Sequence, residues 1–255
     1  MRHTLKAAAL AVAVLLSPAG ARAAGEAIHL PDIRFSFDGL FGTFDRASAQ
    51  RGAQVYKEVC SSCHALHLLS YRNLRDIGLS EADVVRFAAA FTVTDGPNDE
   101  GAMYERPARP SDRFRRPYPN DNAARAANNG ALPPDLSVMT KARVGGAAYI
   151  HALLTGYRDP PAGMTMMEGM NYNAYFPGHQ IAMPNVLNPD QVSYADHTPA
   201  TVDQMARDTA TFLAWAAEPE MEQRKAMGVR MILFLTILAG LTYAVKRKVW
   251  SNLKH

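Results

Sequence analysis

At 255 residues with 48% apolar side chains, the chain is long enough to bury one real core once its two ends are set aside. Its formal net charge of +3 resides largely at those ends, so the body is close to neutral and nucleic acid is excluded as an implied partner. It has only two cysteines, which leaves no second pair to complete a zinc site.

The first residues read as an export signal. Arg2, His3 and Lys6 form a basic start, and Ala7 to Leu16 is an apolar run too short to cross a bilayer. Ser17, Pro18 and Gly20 break it ahead of the small-x-small sequence Ala21-Arg22-Ala23, so residues 1–23 are predicted to be a signal peptide and 24–223 an exported domain. A helix is predicted from near Asp45 into the cysteines, with Ala49, Ala53, Val55, Tyr56 and Val59 at helical spacings. Ser80 caps a second helix whose stripe runs through Val84, Phe87, Ala88 and Phe91. Ala147 to Leu154 is short and helical. A longer helix starts at the Thr198-Pro199 signal and places Val202, Met205, Thr209, Phe212, Leu213 and Ala216 on one face.

Between these elements, 94–135 and 157–199 are rich in Pro, Gly, Asn and Asp, and almost nothing reads as alternating strand. The predicted class is mostly α with long irregular loops. Irregular segments of this length need an organiser, and a large buried cofactor supplies one.

Gly228 to Val245 is apolar, and eighteen helical residues rise about 27 Å, close to a hydrocarbon core. Residues 224–248 are therefore predicted to be one membrane anchor with its core at 228–245. Arg230 snorkels near one end, and Tyr243 and Trp250 suit the interface at the other. Lys246, Arg247, Lys248 and Lys254 follow the run with no acid among them, whereas Glu218, Glu220 and Glu222 precede it. The positive-inside bias puts the 249–255 tail in the cytoplasm and the body on the exported side, in agreement with the signal peptide.

The chain's two cysteines lie in "VCSSCH", residues 59–64. A redox disulfide would want a thioredoxin-like strand before the motif, and it leaves His64 without a task. Covalent haem uses all three residues. Cys60 and Cys63, a turn apart on one helical face, form thioethers to the vinyl groups, while His64 reaches the iron. For the second iron ligand, His67 is too close to His64. The "MTMMEGM" cluster at 164–170, Met183 and His179 all remain candidates.

"VCSSCHAL", "DGPNDEG", "RPYPNDNAARAANNGALPPDLS", "LLTGYRDPP", "YFPGHQIAMP" and "TPATVDQMARDTATFLAWAAEPE" resemble the cytochrome c1 family, the haem subunits of cytochrome bc1 complexes. The resemblance runs in order from about residue 30 through the anchor. It implies a class I cytochrome c-like haem domain with one C-terminal transmembrane helix and one covalent haem c, while the count of two cysteines leaves none for an accessory disulfide. By the same resemblance Met183 is the sixth ligand, with His179 as runner-up. Asn128, Pro133 and Pro134 line the haem, and Arg143 meets a propionate, with Arg125 the competing candidate. Tyr149, Leu153 and Phe176 supply apolar contacts. Asp95, Asp99, Glu100 and Glu105 match a region linked to docking a basic cytochrome c, although Arg106, Arg109, Arg113, Arg115 and Arg116 follow closely.

The function so implied is relay of single electrons from a Rieske iron–sulfur protein to a c-type cytochrome. The chain sits beside cytochrome b in a dimeric complex of the bacterial inner membrane, with the haem domain periplasmic, and is not an enzyme on its own. The competing reading is a membrane-anchored haem enzyme of peroxidase type whose sixth ligand is displaced in turnover. A membrane-tethered haem sensor would need a signalling domain, which the short tail does not provide.

Overall fold

The structure, a computed structural model, describes residues 28–252, so the expected signal peptide at 1–23 lies outside the described residues. Helix α1 (Arg46–Glu58) starts where the Asp45 carboxylate accepts from the Ala47 and Ser48 amides. It stops two residues short of Cys60 instead of running into the cysteines. The two serines explain the stop. Ser61 Oγ donates to the Lys57 carbonyl and Ser62 Oγ to that of Val59, competing with the helical ladder. Cys60–Ser62 then form a single 3₁₀ turn.

A longer 3₁₀ segment, Tyr71–Ile77, comes next. It was not expected from the sequence, and a reciprocal Ser70–Asn73 capping box starts it. Helix α2 (Glu81–Ala89) follows its Ser80 cap as predicted and buries Val84, Phe87 and Ala88.

The two long stretches hold more regular structure than their composition suggested. Strands β1 (Thr92–Asp95) and β2 (Tyr104–Pro107) form an antiparallel hairpin with Thr92 opposite Pro107. Helix α3 (Asp121–Ala127) is capped by the Asn120 side chain. Strands β3 (Asn171–Tyr172) and β4 (Gln180–Ile181) make a minimal second pair. The strands are too short, and α3 buries too few residues, to leave a periodic signal.

Helix α4 (Gly146–Thr155) and helix α5 (Val202–Ala217) complete the packed layer. The cap of α5 is Thr201, three residues after the Thr-Pro signal, and its hydroxyl accepts from the Gln204 amide. Helices α1 and α5 cross at Gly52. A Cβ at that position would lie 2.0 Å from the Asp208 carbonyl oxygen and 2.7 Å from Phe212 Cβ. The close approach lets one buried carboxylate tie the pair together. Asp208 accepts from Ser48 Oγ (2.7 Å), Arg51 Nε (2.8 Å) and Gln204 Nε2 (3.0 Å), while the other arm of Arg51 reaches Asp196. The buried charge is thus paired and hydrogen-bonded, which offsets its desolvation. Gly52→Ala should force the helices apart and lower stability by about 3 kcal/mol, read from denaturant unfolding followed by circular dichroism. Beneath the crossing, Tyr56, Tyr71, Phe87, Phe91 and Phe114 interlock, with Tyr71 and Phe114 ring centroids 4.4 Å apart.

The residue preceding Pro219 is kept out of the helical region (Glu218 φ −152°, ψ 70°), which ends α5. Helix α6 (Met221–Val249) starts almost at once, three residues before the expected anchor boundary of 224, as one unbroken span of 29 residues. None of its apolar stretch is buried, as a membrane-spanning helix requires. The fold is mostly helical with few strands, plus this one C-terminal transmembrane helix.

Candidate haem site

Cys60, Cys63 and His64 sit at the end of α1 in a tight turn, where the Cys60 carbonyl accepts from both the Cys63 and His64 amides. Both thiols are free and partly buried. Burial, with a smaller contribution from Cys63, pushes the Cys60 thiol up to about 12. A redox-active C-x-x-C needs the opposite shift, toward thiolate, so the environment disfavours disulfide exchange. Zinc fares no better, because no cluster of three or more His, Cys, Asp or Glu ligands exists among the described residues.

The turn is held by a second segment seventy positions downstream. His64 Nδ1 is 2.8 Å from the Pro134 carbonyl oxygen. Beside it, the Leu136 amide donates to the Ala65 carbonyl (2.8 Å), the Leu68 amide to Ser137 Oγ (3.1 Å), and the His67 amide and ring to the Asp135 carboxylate. "HALHL" and "PDLS" thus form a zipped clasp. A carbonyl oxygen can only accept, so Nδ1 carries the proton and the lone pair of His64 is on Nε2, free for a metal. Burial lowers the His64 pKa, partly opposed by the Pro134 bond, and favours the neutral imidazole that ligation requires. From the other side, Tyr56 Oη donates to the His64 carbonyl at 3.1 Å.

Met183 is partly buried against the same apolar core as Cys60 and Leu153. Its backbone is gripped twice, by Tyr157 Oη at 3.0 Å and Asn171 Nδ2 at 3.4 Å, both donating to the Met183 carbonyl. His179 is otherwise engaged. Its ring stacks on Tyr172 with centroids 5.7 Å apart, and Nδ1 faces the Asn173 carbonyl. In the methionine cluster, Met167 is exposed.

The remaining predicted residues divide. Pro134 contributes its carbonyl, and its ring is exposed; Pro133 is partly buried. The Asn128 side chain donates to the Ala124 carbonyl at the end of α3. Tyr149 is buried on α4, and Phe176 is partly buried. Burial raises the Tyr149 phenol, and Arg143 beside it works the other way. Arg143 itself is exposed. Arg125, its rival, donates to the Gly130 carbonyl. Among the acidic residues, Asp95 is locked to Arg106, which also grips Asp112, whereas Asp99, Glu100 and Glu105 are exposed. Asp135, Ser137, Tyr157 and Asn171 were missed from the sequence. For the first three the only hint was their presence in the family-like segments "PPDLS" and "LLTGYRDPP"; Asn171 lies outside every such segment.

Paired thiols, a histidine with Nε2 free, and a braced methionine on one core fit a haem, and with α6 they define a membrane-anchored c-type cytochrome. Residues 35–253 match the Cytochrome C1 family model, and the chain belongs to that family. It is 53% identical to the mitochondrial heme protein cytochrome c1 1 of Arabidopsis thaliana, over 94% of this chain and 79% of that one. It is 48% identical to the mitochondrial cytochrome b-c1 complex catalytic subunit of Candida albicans, over 91% of this chain and 81% of that protein. A bacterial relative, cytochrome b/c1 of Bradyrhizobium diazoefficiens, is 49% identical over 87% of this chain and 36% of its own length.

Proposed function

We propose that this protein is the electron-transfer subunit of a quinol:cytochrome c oxidoreductase of the bc1 type, taking electrons from a Rieske iron–sulfur protein and passing them to a c-type cytochrome. The observation that carries the reading is the clasp, which commits His64 Nδ1 to Pro134 and leaves Nε2 for iron. The chemistry supplied by the bound haem c is one-electron cycling of its iron.

Each residue then has a task. Cys60 and Cys63 would hold the haem by thioether bonds, and His64 would supply an imidazole ligand to its iron. Met183 would supply a soft thioether ligand, which favours the ferrous state and would leave substrates no coordination position. Tyr157 and Asn171 keep the Met183 backbone from drifting. Arg143 pairs with a propionate and, as a nearby positive charge, raises the potential. Asn128, Pro133, Tyr149, Leu153 and Phe176 shape the wall. The exposed carboxylates Asp99, Glu100 and Glu105 attract a basic acceptor and make the encounter salt-sensitive.

In this reading residues 1–23 are removed on export, 24–223 lie in the bacterial periplasm, and the anchor stands beside cytochrome b in a dimeric complex. The basic end of α6, Lys246 to Lys248, faces the cytoplasm. Rapid-mixing spectroscopy of the assembled complex tests the whole. Quinol should reduce this haem, and an added c-type cytochrome should reoxidise it in a second-order step that slows with salt. Carbon monoxide binding to the reduced native chain would overturn the relay in favour of a haem enzyme with a displaceable sixth ligand.

Tyr157→Phe removes one grip on the methionine loop. A lost hydrogen bond of about 1 kcal/mol moves the balance between bound and detached Met183 about fivefold. The sulfur–iron charge-transfer band in the near-infrared should then fade at a lower temperature than in the native chain.

A further inference from the structure

The strand of chain before α1 carries an apolar tip that the haem site does not use. Residues 36–43 close on themselves, with the Thr43 amide donating to the Ser36 carbonyl at 3.1 Å. Gly39 takes a positive φ of 71°, and a Cβ on Gly42 would lie 2.1 Å from the Asp38 carbonyl oxygen, so the turn depends on both glycines. Behind the turn, Phe35, Phe37 and Phe44 stack at 5.1 Å spacings down to the core. At its apex, Leu40 and Phe41 are 58% and 79% exposed. A rigid, closed loop is thus presenting two large apolar side chains to its surroundings.

The loop is fastened to the first turns of α6. Lys225 Nζ donates to the Phe37 carbonyl (2.6 Å) and the Gly42 carbonyl (3.1 Å), and Glu222 accepts from the Phe44 amide and Arg46. Leu40 and Phe41 line one shallow cleft with Ala226 and Val229. Val229 already belongs to the apolar stretch of the anchor, so the tip lies where the helix passes into hydrocarbon. At that end α6 has no aromatic belt of its own. From Met221 to Thr242 it holds no Trp or Tyr, while Tyr243 and Trp250 stand at the opposite end.

We infer that Leu40 and Phe41 insert into the membrane interface beside the anchor, forming a second, non-spanning lipid contact that fixes the height and tilt of the haem domain. The loop is continuous with a lipid-facing helix, and Lys225 lines the same cleft as its apolar apex. A helix alone leaves the tilt of the domain about it free, whereas a second contact beside the helix axis restricts that tilt.

The test uses the full haem-loaded chain in phosphatidylcholine–phosphatidylglycerol vesicles, carrying a thiol-reactive NBD fluorophore at Phe41→Cys. The unsubstituted chain sets the labelling background. Leu40→Cys repeats the measurement at the neighbouring position, and Met103→Cys, exposed in the loop joining β1 to β2, is the aqueous control. At Phe41→Cys and Leu40→Cys the emission should be blue-shifted from the control and quenched more by lipids brominated at carbons 6,7 than at 11,12. Emission matching Met103→Cys with no quenching would overturn the inference. Shielding that appears only in the complex assembled with cytochrome b would overturn it too, assigning the tip to a protein neighbour.

Discussion

Cys60→Ala combined with Cys63→Ala should abolish covalent haem attachment, so that haem staining of the denatured chain on a gel disappears entirely. The two thiols are the only cysteines in the chain, and no other side chain forms a thioether to a vinyl group. The consequences extend past the motif. A tethered cofactor stabilises only the folded state, so removing it weakens the loop-rich segments around the clasp. The single variants should retain one bond each and a partial stain, because each thiol reacts with its own vinyl group. A full stain in the double variant would remove both cysteines from the site.

Met183→Leu should lower the midpoint potential and open the reduced iron to carbon monoxide. Leucine preserves volume and apolarity, so the core that holds Met183 is barely disturbed and only the sulfur is lost. A fall on the order of 0.1 V is a modest part of the roughly 0.8 V range that axial ligands cover. At about 59 mV per tenfold for one electron, that is about a fiftyfold change in the redox equilibrium. The sulfur–iron charge-transfer band should vanish at the same time. A potentiometric titration superimposable on that of the native chain would dismiss Met183 as a ligand. His179, stacked on Tyr172, would then have to swing free to replace it.

These two outcomes differ in how directly the sequence announces them. Cys60, Cys63 and His64 are neighbours in the chain, so their spacing alone signals the chemistry. Met183 stood among several methionines and a nearby histidine, and resemblance to a family singled it out. What the tertiary structure adds is a brace on its carbonyl from Tyr157 and Asn171, contacts 26 and 12 positions apart that no local pattern encodes.

The helices with a clean apolar stripe and a capping residue were legible. Ser80 starts α2 where expected, α4 is helical over the expected run, and α5 buries Met205, Thr209, Phe212, Leu213 and Ala216 of its anticipated face. Boundaries were less so. The approach to the cysteines looked like continued helix because its apolar spacing continues through Val59, while the competing bonds of Ser61 and Ser62 depend on rotamers. The β1–β2 hairpin escaped notice because a four-residue strand alternates only twice, and its pairing is decided by the intervening turn.

The sequence by itself determined the haem-binding chemistry, the helical class and the transmembrane span, because each depends on residues close together in the chain: a three-residue spacing, a 3.6-residue period, a continuous apolar run. Only the tertiary structure decided which nitrogen of His64 is free, how Asp208 locks α1 to α5, and which of four acidic residues remain exposed. Those outcomes rest on hydrogen bonds and ion pairs between segments brought together by the path of the loops. Bond formation there depends on angles and distances of a few tenths of an ångström, information that residue order contains only through the completed fold.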